Sequence, residues 1–295
     1  MKYGMCYCYW SKDWEGTNYP QTIERARKCG FDVLEIFYGR LLDMAQTEVD
    51  DIKAACKAND VELYICGGFG AEEDLSQLDE PGRKHAVEKA KELLAAIARV
   101  DAHNFSGINY GCWCDFSHPE NKQKNLEAAA RSLREIGAAA GDLGISWNME
   151  VVNRFESYLL NTAAEARALT DEVDSPNINI LLDIFHGMIE EDDLANAIRI
   201  AGDKLGHYHV GTNNRRLPGP CFLPWKDVAR ALVDVGYDKT ISFEPLVRSG
   251  GTVALQGGHV WREMLPNDAT DDDLDRMATE ALGFMKGLIE EAREQ

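Results

Sequence analysis

The chain has 295 residues, 45% of them hydrophobic and 27% charged, enough to bury a substantial core and too balanced for a disordered or low-complexity segment. Its 50 acidic against 31 basic side chains leave a formal net charge of -19, which repels phosphate backbones and anionic bilayers and speaks against nucleic-acid or membrane-surface partners. Met1-Lys2-Tyr3-Gly4-Met5 does not lead into a long apolar stretch, and no window approaches 18 consecutive apolar residues, so a cytoplasmic protein is expected.

Apolar and alternating runs predict strands, and apolar residues spaced by three and four predict helices. In chain order, a strand over 3–9 precedes a helix over 19–29, a strand over 32–37 a helix over 46–59, and a strand over 61–69 a helix over 80–101. Strands over 104–111, 146–152 and 178–185 precede helices over 119–143, 162–173 and 191–201. Strands over 205–211 and 240–247 precede helices over 224–235 and 271–293. Gly30, Gly144, Gly202 and Gly236 stand where helices should stop. Strict alternation without a linker predicts one domain over 1–295, an α/β chain of the (β/α)8 TIM barrel class, since parallel strands need crossover helices. The rival, an open doubly wound sheet, would ask for a Gly-rich phosphate loop after the first strand. Trp10-Ser11-Lys12-Asp13-Trp14-Glu15-Gly16 is not one, and Gly67-Gly68-Phe69-Gly70 does not match it either, so no nucleotide cofactor is indicated.

Eight cysteines without an export signal read as reduced thiols rather than a disulfide framework. Cys6/Cys8 and Cys112/Cys114 are spaced C-x-C. In extended strands each pair would share a face, as buried small side chains in preference to a zinc site.

Glu150, Asp183, His209 and Glu244 stand near the C-terminal ends of the last four predicted strands, which are neighbours in a barrel, so the four can converge at its mouth. An acid at the end of an apolar run such as Ile180-Leu181-Leu182-Asp183 is costly unless paired or metal-bound. One imidazole and three carboxylates suit Mn²⁺, Co²⁺ or Mg²⁺ better than a structural zinc, and leave coordination positions for a substrate.

Asn148-Met149-Glu150-Val151-Val152-Asn153-Arg154-Phe155-Glu156, Leu182-Asp183-Ile184-Phe185-His186, Gly206-His207-Tyr208-His209-Val210-Gly211 with Asn214-Arg215, and Phe243-Glu244-Pro245 resemble the D-tagatose 3-epimerase and D-psicose (D-allulose) 3-epimerase family. Tyr7-Cys8-Tyr9-Trp10 and Trp14 fit it too. The resemblance implies a metal-dependent ketose 3-epimerase, usually with Mn²⁺ or Co²⁺, acting on a free ketohexose or ketopentose such as D-tagatose, D-psicose, D-fructose or L-ribulose. It also implies a homo-oligomer, dimer or tetramer, and the loop residues Trp113, Trp261 and Met264 are expected at an exposed subunit contact. By matching positions, Glu150, Asp183, His209 and Glu244 are the implied metal ligands, Glu150 and Glu244 the acid/base pair, and Glu156, His186 and Arg215 the substrate-binding residues. A Lewis acid on the carbonyl would stabilise a cis-enediolate, and two carboxylates would exchange the C3 proton on opposite faces. Cys6, where relatives often present an aromatic ring, Thr212, where Glu is common, and Leu217-Pro218-Gly219-Pro220-Cys221 depart from the family pattern and bear on the pocket. The rivals are an aldose-ketose isomerase, a C-glycoside deglycosidase acting on a 3-oxo-glycoside, an endonuclease of the same barrel class, and a sugar-binding protein without turnover.

Overall fold

A computed structural model describes residues 1–266 and 268–294. Eight parallel strands, β1 (Lys2–Cys6), β2 (Val33–Phe37), β3 (Glu62–Cys66), β4 (Asn104–Gly107), β5 (Ser146–Val151), β6 (Ile178–Asp183), β7 (Leu205–Val210) and β8 (Thr240–Phe243), close into a barrel in sequential order. Around it run α1 (Tyr19–Lys28), α2 (Gln46–Asn59), α3 (Glu80–Arg99), α4 (Lys122–Leu143), α5 (Ala163–Val173), α6 (Ile184–Glu190), α7 (Leu194–Ala201), α8 (Trp225–Asp234), the short α9 (Gly251–Val253) and α10 (Asp271–Glu294). This is the TIM barrel the strand-helix alternation predicts. Among the described residues no helix is long and apolar enough to cross a membrane.

Several boundaries differ from the sequence reading, and the differences have physical causes. The strand expected over 3–9 stops at Cys6, because Tyr7–Tyr9 turn into a 3-10 helix. The run expected as strand to residue 185 stops at Asp183, whose carboxylate accepts from the Phe185 amide at 2.7 Å and caps α6, a helix the sequence pattern does not announce. Residues 119–121 form a separate 3-10 turn ahead of α4. The glycines expected at helix ends all take positive φ, as at Gly144 (66°) closing α4. Cys8 therefore lies outside a strand, and Cys112 and Cys114 lie in a loop with Cys114 exposed, so the expectation of a shared strand face fails for both pairs, although Cys6 and Cys8 are both buried.

Side-chain alternation decides what faces the barrel interior. Cys6 pairs with Glu35, Glu35 with Tyr64, Leu181 with His207, Asp183 with His209 and His209 with Ser242. Residues two further along each strand then share that face, which brings Phe37, Cys66, Ile108, Glu150 and Glu244 to the C-terminal mouth with Cys6 and His209. One irregularity is needed for this. β7 carries an extra residue between Leu205 and His207, opposite Ile180/Leu181. Without that bulge at Gly206, the pleat would turn His207 and His209 outward. Below the mouth the interior is polar and internally bonded: Asn148 Nδ2 donates to Ser106 Oγ (3.2 Å) and Asn179 Nδ2 to Ser146 Oγ (3.0 Å).

Candidate active site

A cavity of about 270 Å³ opens at the C-terminal mouth. Trp14, Phe37, Trp113, Ile108 and Leu246 form its apolar walls; Glu150, Glu156, His186, His209, Arg215 and Glu244 reach it from the barrel ends and their loops, and Glu15 and Gln256 add polar groups at its edge. Trp14 and Phe37 lie with ring centroids 5.3 Å apart, an amphipathic wall suited to the C–H faces of a small polar ligand.

Glu150 (β5), Asp183 (the end of β6), His209 (β7) and Glu244 (just past β8) each present a ligand atom within 4.8 Å of all the others. Glu150, Asp183 and His209 are buried. The Glu244 amide donates to the Val210 carbonyl at 3.1 Å, which extends the strand pairing and sets the side chain beside His209. His209 Nδ1 is buried without a hydrogen-bond partner, 3.3 Å from Glu244 Oε2. An orphaned imidazole nitrogen among three carboxylates is a donor set that fits a divalent cation.

Glu35 is a residue that the sequence reading missed. It is fully buried on β2, with Oε1 3.2 Å from His209 Nε2 and Oε2 3.1 Å from His207 Nε2. Burial alone would raise its pKa, but the two imidazoles outweigh this and hold it well below the usual carboxylate range. His209 is raised well above its ordinary value: burial opposes its charge, and Glu35 and Glu244 overcome that.

Arg215, in the left-handed region at φ 58°, lays Nη1 2.6 Å from Asp183 Oδ2 and 2.8 Å from Glu244 Oε2, with its guanidinium over the Phe185 ring at 4.3 Å. It thus contacts two carboxylates of the cluster directly. Burial pushes Glu150 up, with His186 pulling the other way; Glu244, which burial alone would also raise, is brought down to about 2 by Arg215 and His209.

His186, on α6, accepts at Nδ1 from the Asn153 backbone amide (3.3 Å) and is 2.7 Å from Asn153 Nδ2. Two donors at Nδ1 favour the neutral tautomer with its proton on Nε2, which lies 3.5 Å from Glu150 Oε1 and 3.4 Å from Arg215 Nη2. Asn153 Nδ2 also donates to Glu156 Oε1 at 3.0 Å, and Trp113 Nε1 donates to Glu156 Oε2 at 3.0 Å. Trp113 is therefore a pocket wall rather than the exposed contact expected of it. Met264 is buried as well, and of that trio only Trp261 is well exposed, at 71%. Cys6 lines the pocket, whereas Thr212 is turned into its own loop, its Oγ1 donating to Asn214 Oδ1 at 2.8 Å.

Residues 23–279 match the family model described as xylose isomerase-like TIM barrel. The chain is 38% identical over 291 residues to the D-psicose 3-epimerase of Ruminiclostridium cellulolyticum, covering 98% of both chains. Among solved structures it superposes on D-psicose 3-epimerase with D-tagatose from Clostridium cellulolyticum H10 with a TM-score of 0.93, at 38% identity and covering 98% of this chain and 99% of that one. A second D-psicose 3-epimerase structure, determined in the presence of D-fructose, gives a TM-score of 0.93 at 34% identity, again covering 98% and 99%.

Proposed function

Since the chain belongs to the xylose isomerase-like TIM barrel family, and within it to the D-psicose 3-epimerases, we propose that it is a ketose 3-epimerase that inverts C3 of a free ketohexose of the D-psicose, D-fructose or D-tagatose class. The observation that carries this reading is the pair Glu150 and Glu244 on non-neighbouring barrel positions, grouped with Asp183 and His209 at the floor of a sugar-sized pocket.

Glu150, Asp183, His209 and Glu244 would hold one divalent ion, Mn²⁺ in the first instance with Co²⁺ or Mg²⁺ as alternatives. When bound, such an ion supplies Lewis-acid stabilisation of charge developing on a ketose carbonyl. The remaining work falls to the chain. One glutamate takes the C3 proton, giving a cis-enediolate, and the other returns a proton to the opposite face, with roles exchanged in the reverse direction. His186 presents Nε2–H, fixed by Asn153, to a substrate oxygen. Arg215 brings positive charge and Glu156, clamped by Trp113 and Asn153, accepts from sugar hydroxyls. The aromatic walls exclude water from the reacting carbons.

The test is to incubate the Mn²⁺-loaded enzyme with D-fructose or D-tagatose in D₂O and follow products by NMR. Deuterium at C3 of both epimers is expected. Deuterium confined to C1 or C2 with appearance of an aldose would replace the reading with an aldose-ketose isomerase.

A further inference from the structure

Three thiols gather at the pocket floor and have no part in proton transfer at C3. Cys6 ends β1 and Cys66 ends β3, and both line the cavity. Cys8 sits behind them in the 3-10 turn after β1, buried, and its thiol donates to the Cys6 sulfur at 3.0 Å. That separation is about 1 Å more than a disulfide bond length. We propose that Cys6 and Cys8 form a modification site, in which a hydroperoxide entering through the sugar pocket oxidises Cys6 and Cys8 then closes a reversible disulfide that blocks sugar binding.

The two sulfurs are placed for different roles. Cys6 faces the cavity through which a small oxidant would reach this cluster, the same space a sugar would fill. Hydrogen bonds from the Cys66 and Cys8 thiols favour its thiolate and bring its pKa down to about 6, while hydrogen bonding to Cys6 and burial push Cys8 well above the usual thiol value. The Cys6 sulfur attacks one peroxide oxygen and the O–O bond breaks. The departing oxygen leaves as water once protonated, and Cys6 becomes a sulfenic acid. The Cys8 sulfur attacks that sulfur, the S–O bond breaks, and a second water leaves with the Cys8 proton. Two thiols and one hydroperoxide thus give one disulfide and two waters, or one water and an alcohol for an organic peroxide. Both electrons come from the thiols.

Closing that bond pulls on the turn that carries Tyr7. The Tyr7 hydroxyl donates to the Trp14 carbonyl at 3.0 Å, and Trp14 is a wall of the cavity. Oxidation is therefore transmitted to the sugar-facing surface and is not confined to the two sulfurs.

The experiment uses the full metal-loaded chain with the exposed Cys114 and Cys221 replaced by serine, treated with hydrogen peroxide, quenched, and examined by intact mass, peptide mapping and epimerase assay. Loss of two hydrogens per chain, a Cys6–Cys8 link in the map and a fall of about tenfold or more in kcat/KM are expected, all reversed by dithiothreitol. In the same background Cys8→Ser should keep its untreated activity, form no link, and leave Cys6 as a sulfenic acid that dimedone traps. A link between Cys6 and Cys66, reversible inactivation of Cys8→Ser equal to that of the parent, or inactivation with no disulfide in the map would overturn the proposal. The mass readout on the parent chain is independent of which sugar is turned over, so it stands even if the epimerase reading fails.

Discussion

Glu35 interrupts the apolar strand Val33-Leu34-Glu35-Ile36-Phe37 with none of its surface exposed, where a carboxylate without partners would be strongly destabilising. Its partners are His207 and His209, and by accepting at His209 Nε2 it leaves Nδ1 as the nitrogen turned toward Glu244. A carboxylate behind a ligating imidazole fixes the ring and raises its basicity. Glu35→Gln is therefore expected to weaken Mn²⁺ binding roughly 10- to 100-fold, measured by calorimetric titration, while the far-ultraviolet circular dichroism stays that of the parent. Unchanged affinity would show that His209 does not need this support. The four clustered residues were legible in the sequence because each is a polar group near the end of an apolar run. Glu35 was not, since an acid in mid-strand reads equally well as the solvent side of an alternating pattern. Asn153 lay inside a quoted motif, but an asparagine in a loop carries no signal until the imidazole it orients is seen beside it.

At the scale of elements, β7 shows why strand existence was easier to read than strand geometry. Leu205-Gly206-His207-Tyr208-His209-Val210 has the alternation of a strand, and the histidines' shared face follows from their spacing. Which face they share depends on the bulge at Gly206, a matter of register with β6 that one strand's sequence cannot express. A Cβ at Gly206 would lie 1.8 Å from Asn148 Oδ1 and 2.6 Å from Asn179 Cβ, inside the hydrogen-bonded layer below the mouth. Gly206→Ala should accordingly cost about 2–4 kcal/mol in urea unfolding and weaken metal binding, because β7 must shift to admit the methyl group. A variant with parental stability would mean that the layer yields and the bulge is not a tight constraint. The same limit explains α6: Asp183 was visible as a strand-end acid, but its second use as a helix cap depends on the chain leaving the sheet immediately afterwards.

For the whole molecule, 50 acidic side chains against 31 basic ones make pH and cations the natural levers. Away from the pocket, a hydrogen bond from the Arg83 guanidinium holds Glu80 at about 2, joining α3 to α4 through Arg83's further contact with Glu135 at 3.3 Å. A folded pKa below the unfolded value of about 4.3 contributes stability that is fully present above that value and lost as pH falls toward about 2. Melting temperature should decline over that acid window, and the decline should be shallower in Glu80→Gln. An identical slope in the variant would remove this pair from the acid response.

The cation response belongs to the barrel mouth, where Asp183, Glu244, Glu150 and His209 crowd within 4.8 Å and Arg215 bridges the first two. An ion bound there only in the folded state stabilises it by mass action, about 2.7 kcal/mol at a hundredfold excess over Kd, which for a chain of this size is a rise of roughly 5 °C. Chelator should abolish the rise and Mn²⁺ or Co²⁺ restore it. Arg215→Ala sharpens the test, because it withdraws the protein's own positive charge from the cluster and leaves the carboxylates to repel one another. Without added metal this variant should melt below the parent, and its gain on adding Mn²⁺ should exceed the parent's. If Arg215 were instead required to assemble the ion site, the gain would shrink or vanish. Equal gains in the two proteins would mean that Arg215 and the ion do not compete for the same charge, and no gain in either would remove the ion from the cluster altogether.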